Sequence, residues 1–307
     1  MKVLITGGAG FIGSHLTDRL LAAGNSVRVL DNLSTGKRAN LPDSAPGFEF
    51  IADDIANPDA VRSGMRDADA VVHLAAVASV QASIDDPIAT HRSNFDGTLN
   101  LLEAARAQGV NRFLYASSAA VYGDTARLPV AEAGSLQPLS PYAADKLAGE
   151  HYLYYYFIKH GLAATAFRFF NIYGPRQDPS SPYSGVISIF VERARAGEPV
   201  TVFGDGRQTR DFVFVGDLVT LLAAALVRSG LEGKTVNVGT GIESSLLELI
   251  DAMEGLLGRP IPRNHREARV GDILRSCADV TWLRECFGTV PSTPIREGLR
   301  TLIPSPG

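Results

Sequence analysis

Cysteine is nearly absent from this 307-residue chain, which holds only Cys277 and Cys286. So few thiols exclude a disulfide framework and a four-cysteine metal site; two buried, reduced thiols in a cytoplasmic protein are expected, and no metal site. Excess positive charge is absent as well. With 29 Lys and Arg against 33 Asp and Glu the formal charge is −4, which argues against nonspecific nucleic-acid binding. No apolar run approaches the roughly 20 residues needed to cross a bilayer. The start of the chain lacks secretory character: Met1-Lys2-Val3-Leu4-Ile5 runs straight into a glycine turn, without a long apolar region or a small-residue cleavage site. A cytoplasmic protein with no membrane and no nucleic-acid partner is expected.

What is present is an ordinary globular composition, 45% hydrophobic and 20% charged, in a chain long enough for one large α/β domain with a smaller lobe. Residues 2–6 read as a short buried strand. Residues 13–23 carry Leu16, Leu20 and Leu21 at helical spacing, with Gly24 as the stop. Residues 26–30 form a second strand ending in Asp31. Residues 70–76 and 112–117 repeat the pattern of apolar strand followed by small residues, and 94–108 between them reads as a helix with Leu99, Leu101 and Leu102 inside. Strands alternating with helices predict an α/β fold with a Rossmann-type doubly wound parallel sheet. Residues 173–185 are rich in Pro, Gly and Ser and too long for an ordinary connection, so a functional loop is expected there. A helix over 187–196, a strand over 200–203 and a Gly204-Asp205-Gly206 turn follow. The expected division is a dinucleotide-binding domain over 1–172, with a return segment at about 212–240, and a smaller C-terminal α/β substrate-binding lobe over 173–307.

The stretch Thr6-Gly7-Gly8-Ala9-Gly10-Phe11-Ile12-Gly13 follows the first strand and opens the first helix. Glycines permit a tight turn and close backbone approach, and helix N-terminal N–H groups suit a pyrophosphate. Asp31, at the end of the next strand, suits an adenosine ribose and disfavours a 2′-phosphate, so NAD is expected over NADP. Nearby Lys37 and Arg38 are either acceptors for that phosphate or part of a solvated loop. Asp54-Ile55 would bracket the adenine, although an acidic loop residue also serves as a cap.

Further along, Ser117-Ser118 closes a strand, and Tyr142 and Lys146 stand four apart in a helix-forming segment, hence on one face. A tyrosine with a pKa of about 10 is a poor base; bringing it near neutrality corresponds to about 4 kcal/mol, which a neighbouring ammonium and a cationic nicotinamide would supply. Tyr-x-x-x-Lys alone is commonplace. Downstream of a nucleotide turn and a serine-ended strand it predicts hydride and proton transfer at a carbinol carbon.

Gly7-x-x-Gly10-x-x-Gly13, Ser118 and Tyr142-x-x-x-Lys146 resemble the extended short-chain dehydrogenase/reductase (NAD-dependent epimerase/dehydratase) family, and within it most resemble the UDP-glucose 4-epimerases. The likeness runs through Asp31–Gly36, His73-Leu74-Ala75-Ala76, Ser117–Gly123, Asn171–Gln177, Thr209-Arg210-Asp211-Phe212 and Arg269-Val270-Gly271-Asp272. It implies Ser118, Tyr142 and Lys146 as catalytic residues. It implies NAD contacts at Gly7, Gly10, Phe11, Ile12, Gly13, Asp31, Asn32, Asp54, Ile55, Leu74, Ala75, Ala76, Asn94, Tyr142 and Lys146. Asn171, Arg210, Arg269 and Asp272 would hold a UDP moiety, beside Ser118 and Tyr142 at the sugar. Paired arginines suit a diphosphate and a carboxylate suits a ribose diol, while a surface ion pair is the other reading of each arginine. Ser276, small where bulk limits the sugar at C2, leaves room for a 2-acetamido group or has no role. The resemblance also implies a homodimer through the aromatic helix His151–Phe157, whose other reading is packing on its own sheet.

The fold hosts several chemistries, so the reaction has to come from the site. Sugar 4,6-dehydratases carry an Asp-Glu pair after the catalytic Ser/Thr, and the related decarboxylases a glutamate in that stretch; here Ala119-Ala120 moves no proton. C4 epimerisation of a UDP-hexose is the remaining expectation, UDP-glucose/UDP-galactose with UDP-GlcNAc/UDP-GalNAc also admitted. A UDP-glucuronate 4-epimerase, for which Arg176 or Arg193 would meet the carboxylate, is the alternative, as is another NAD-dependent nucleotide-sugar oxidoreductase.

Overall fold

The computed structural model describes residues 1–179, 185–268 and 273–303. They fall into two compact units, Met1–Val121 with Leu136–Arg168 and Val219–Val236, and Tyr122–Ser135 with Phe169–Leu218 and Asn237–Gly307.

In the first unit, β1 (Lys2–Thr6) buries Val3, Leu4 and Ile5 completely, so successive side chains meet cover on both faces and an unbroken apolar run becomes a strand. α1 (Phe11–Ala22), β2 (Ser26–Asp31), β3 (Phe48–Ala52), α2 (Pro58–Met65) and β4 (Ala70–His73) follow. Next come α3 (Val80–Asp85), α4 (Pro87–His91), a π-helical turn at Arg92–Asp96, α5 (Gly97–Gln108), β5 (Arg112–Ser118), α6 (Pro141–His160) and β6 (Ala163–Phe169). The seven-stranded sheet runs in the order Lys234–Val238, β6, β5, β4, β1, β2, β3, and the pairings from β5 to β3 are parallel. The chain leaves β1 on one side through β2 and β3 and returns to β4 on the other. The strand order therefore reverses between β1 and β4, and the loops leaving their carboxyl ends diverge into a crevice.

Three boundaries in this unit depart from the sequence expectation by two residues or more. α1 starts two residues early, because the Ser14 amide already donates to the Gly10 carbonyl at 3.1 Å. β4 stops at His73 instead of running to 76: Leu74 still bonds the Thr6 carbonyl, but the Ala75 amide turns to the Thr6 hydroxyl at 3.3 Å and leaves the ladder. The helix expected from Asn94 begins as α5 at Gly97, behind the π turn that contains Asn94.

α6 carries its own start and stop signals. The Ser140 hydroxyl accepts from the Ala143 amide at 3.2 Å, Pro141 stands at the first helical position, and Gly161 ends the helix in the left-handed conformation at φ 69°. Gly149 lets the helix lie close to β5, since a Cβ there would come within 2.7 Å of Tyr115 Cζ. Leu4, Leu30, Met65, Leu101, Phe113 and Leu153 belong to this unit's core.

The second unit is built from short strand pairs: Asn171–Tyr173 with Phe212–Phe214, Val200–Phe203 with Arg263–Arg266, and Thr209–Arg210 with Ser244–Ser245. The helix Val186–Ala196 begins one residue before the expected span, and the expected strand over 200–203 is present. A capping box between Ser245 and Glu248 opens the helix Leu246–Leu257, whose Leu249, Ile250 and Met253 pack with Tyr173, Phe190 and Val202. Cys277 and Cys286 are buried and unbridged. Among the described residues no helix is long and apolar enough to cross a membrane, and no cluster of side chains could hold a metal ion.

Candidate active site

The three glycines after β1 do three different things. Gly7 turns the chain at φ +70°, where a Cβ would lie 2.7 Å from the Ala75 amide nitrogen of the β4 loop. Gly13 packs α1 onto the turn; a Cβ there would overlap the Gly7 carbonyl and stand 2.6 Å from Gly8 Cα. Gly10 is nearly open, a Cβ meeting only the Gly7 carbonyl, at 3.2 Å. No side chain caps the start of α1 and its first turn holds no acidic residue, so its N–H groups and dipole favour an anion. Phe11 and Ile12, half-buried, lead that turn.

Asp31 fastens the cradle. Its Oδ2 accepts from the Ala9 amide at 2.9 Å and its Oδ1 from the Leu33 amide at 2.8 Å. Each oxygen retains a second lone pair for a ribose hydroxyl. Asn32 donates to Asp54 at 2.8 Å, and Asp54 in turn accepts from the Ala56 amide, so the loops after β2 and β3 are joined. Ile55 packs on Gly97. Arg38 stacks on Phe50 at 5.3 Å and donates to the carbonyls of Leu41, Pro42 and Asp43, which leaves it with partners other than a 2′-phosphate.

Asn94 clamps the loop that carries Leu74, Ala75 and Ala76: its Oδ1 accepts from the Val77 amide at 2.7 Å and its Nδ2 donates to the Val77 carbonyl. Behind the loop lies a polar chain that sequence reasoning missed. The Thr98 hydroxyl donates to the Asn94 carbonyl at 2.6 Å, so it accepts from His73 Nε2–H at 2.8 Å; His73 Nδ1 then accepts the Thr6 hydroxyl, also at 2.8 Å. A histidine inside an otherwise apolar strand was the available signal. Burial, and next the Lys146 charge, push His73 well below its usual value, so it is neutral in the fold. Its unfolded form takes up a proton below about pH 6.5 and the native form resists, so this contribution to stability is present above that pH and lost as pH falls. Between pH 6.5 and 5, urea unfolding is expected to show a loss approaching 1.4 kcal/mol per pH unit, on the order of one proton's linkage. A His73→Gln chain with the same slope would remove His73 as its source.

α6 brings Tyr142 and Lys146 to the end of β5. The Ser118 hydroxyl faces the Tyr142 phenol closely enough to favour its ionised form. Lys146 is buried; its Nζ donates to the Ala116 carbonyl at 2.7 Å and stands over the Tyr115 ring at 4.8 Å and the Tyr142 ring at 5.9 Å. Burial pulls the Lys146 ammonium down to about 8, against Asp145 and Glu150, which hold it up. The expected acidity of Tyr142 called for two positive charges, this ammonium and a nicotinamide, and the chain itself supplies the first. Burial raises the phenol above its ordinary value, and the Ser118 hydroxyl only partly opposes it. The lysine's proton is directed at a strand carbonyl rather than at the phenol.

In the second unit Arg210 is half-buried and donates from Nη1 to the carbonyls of Thr209, at 2.8 Å, and Ile273, at 2.7 Å. Buried Asp211 beside it accepts from the amides of Thr240, Gly241 and Ala278 and from the Thr240 hydroxyl, which fixes the strand that carries Arg210. Strand pairing sets exposed Asn171 against Phe212, two residues beyond Arg210. Ser276 is half-buried, and Arg269 and Asp272 lie outside the described residues. Arg193 donates to the Pro199 carbonyl and pairs with Glu198, at the end of its own helix.

The model of the NAD-dependent epimerase/dehydratase family matches residues 3–239. The chain is 42% identical to the UDP-glucose 4-epimerase of Mycolicibacterium smegmatis, over 97% of this chain and 96% of that one. It superposes on the crystal structure of UDP-glucose 4-epimerase from Thermus thermophilus in complex with NAD, with a TM-score of 0.91 and 41% identity, covering 99% and 98% of the two chains. The UDP-N-acetylglucosamine 4-epimerase of Methanobrevibacter ruminantium, solved with UDP-N-acetylmuramic acid, gives a TM-score of 0.93 at 34% identity, covering 98% of each chain. The glycine cradle, Asp31 and the Ser118–Tyr142–Lys146 group thus stand in a chain that belongs to the NAD-dependent epimerase/dehydratase family.

Proposed function

We propose that this chain inverts C4 of a UDP-hexose through a transient 4-keto sugar, acting on UDP-glucose/UDP-galactose and also on UDP-GlcNAc/UDP-GalNAc. The observation that carries this reading is the Ser118–Tyr142 hydroxyl pair at the end of β5, followed by Ala119-Ala120 with no further acid or base. Such a site can hold a sugar oxygen and move one proton, which is all that C4 oxidation and reduction require of side chains.

NAD fits the residues present. Gly10 leaves the approach to the α1 amides open, Gly7 and Gly13 admit no side chain, and Asp31 faces the ribose position with spare lone pairs. Asn32, Asp54, Ile55, Leu74, Ala75, Ala76 and Asn94 would line the rest. When bound, NAD would supply the hydride acceptor and donor, and its oxidised ring would add a second positive charge to that of Lys146. Tyr142 takes the proton of the 4-hydroxyl and returns it to the opposite epimer. Ser118 holds the sugar oxygen against the phenol, and Lys146 keeps a positive charge beside both. Asn171, Arg210, Arg269 and Asp272 would bind the nucleotide, so the hexose itself is held lightly enough to present its other face.

Serine at position 276 leaves volume for a 2-acetamido group. Arg193 is engaged by Glu198 and Pro199, which takes one of the two candidate cations away from a uronate carboxylate. Incubating the protein with UDP-glucose, UDP-GlcNAc or UDP-glucuronate and following C4 by NMR should show inversion of the first two. Failure with all three would end the epimerase reading.

We also infer a homodimer through α6. Leu153 and Tyr156 face the core, whereas Tyr152, Tyr154, Tyr155 and Ile158 are 40–55% exposed, so the aromatic run exceeds what its own sheet covers. Light scattering at micromolar concentration should give twice the 32.7 kDa chain mass, and a monomer would refute it.

A further inference from the structure

Three successive turns of α6 engage three consecutive residues of β5. Tyr142 faces Ser118, Lys146 bonds the Ala116 carbonyl, and Glu150 accepts the Ser117 hydroxyl at 2.5 Å. The spacing 142, 146, 150 places all three on one helical face. Glu150 also reaches the neighbouring strand: Arg168 on β6 donates to it from Nε at 2.9 Å and from Nη2 at 2.7 Å, in a bidentate pair with both side chains almost fully buried.

A buried ion pair is a costly way to fill space, since well-packed apolar residues of the same volume commonly serve stability as well or better. What such a pair supplies is a fixed arrangement, and here it fixes α6 and two strands at the residue next to Ser118. We propose that Glu150 is a positioning residue of the candidate active site, holding α6 in register and rotation against β5 so that the Ser118 and Tyr142 hydroxyls and the Lys146 ammonium share one geometry. The proposal rests on the epimerase reading above.

Glu150 has a second effect, through charge. Lys146 is faced by Tyr142, Asp145 and Glu150 from its own helix, by Tyr115 from β5 and by His73 from β4, with Arg168 on β6 neutralised by Glu150. Asp145 is itself bonded to His91 at 2.6 Å. Removing the Glu150 charge alone takes the bidentate carboxylate from Arg168 and withdraws one of the two carboxylates that keep Lys146 protonated. The ammonium is then lost at lower pH.

The test uses the full-length chain, with kcat, KM and pH profiles for UDP-glucose epimerisation. Glu150→Gln is expected to lower kcat roughly 10- to 100-fold, the scale of a slight misplacement of reacting groups, with KM within about twofold. Its alkaline limb should move to lower pH than that of the parent. Glu150→Met/Arg168→Met, which removes both charges, should restore the limb but not kcat, because the Ser117 anchor is still missing. If Glu150→Gln does not fold, the double variant and Ser117→Ala decide, both expected to lose kcat at constant KM. Parent-like kcat in the double variant and in Ser117→Ala would overturn the positioning role while leaving the epimerase reading intact. Absence of inversion by the parent chain on every UDP-sugar would instead refute the epimerase reading and this proposal with it.

Discussion

Tyr142→Phe is expected to lower kcat for C4 inversion by about a thousandfold, within the range for loss of a positioned acid–base group. The substitution removes one oxygen. The ring stays, with its contact to Lys146 at 5.9 Å and its place in the first turn of α6, so the fold and the nucleotide grip should persist. What disappears is the hydroxyl that Ser118 faces, the group that exchanges a proton with the sugar. Burial raises the free phenol, so its work as a base depends on positive charge arriving with the cofactor and held beside it by Lys146. KM should therefore change little while kcat collapses. Near-normal turnover in a variant with parent-like circular dichroism and NAD content would show that another group moves the proton.

The parts of this molecule that were legible in the sequence are those where local chemistry and the global fold agree. β1 reads as a strand because every residue after Lys2 is apolar or β-branched and buried on both faces. The glycine turn, Asp31 and the Ser118–Tyr142–Lys146 spacing are legible because each is a backbone or side-chain requirement that few residue types meet. The misreadings fall where side chains capture backbone groups. β4 ends at His73 because the Thr6 hydroxyl takes the next amide but one, and α5 starts late because Asn94, within a π turn, is spent on Val77. Neither event has a periodicity. Glu150 and Arg168 were invisible for a related reason: a charged residue on a helix reads as solvent-facing, and only the tertiary arrangement shows the pair to be buried. Spacing placed Lys146 on the correct face but could not show that its proton goes to Ala116.

Alanine at Gly13 and alanine at Gly10 should damage the protein in different ways, although the two residues are three positions apart in one motif. At Gly13 the added methyl would overlap the Gly7 carbonyl and press on Gly8 Cα, both main-chain atoms. The turn cannot yield, because Gly7 at φ +70° is itself wedged against the Ala75 backbone. Gly13→Ala should therefore lower Tm and abolish NAD binding together, with about 1–3 kcal/mol of overpacking to accommodate. At Gly10 the methyl meets only one carbonyl oxygen, at 3.2 Å, so Tm should stay near that of the parent. Yet the same methyl stands over the uncapped α1 amides, where a pyrophosphate has to come close. NAD affinity of Gly10→Ala is expected to fall about 10- to 100-fold, the same overpacking range expressed as binding. Titration calorimetry and thermal melts on the two variants separate the outcomes. Unimpaired NAD binding by Gly10→Ala would mean that the dinucleotide does not approach the helix at that point, and the roles given to Gly7, Gly13 and Asp31 around it would fall as well.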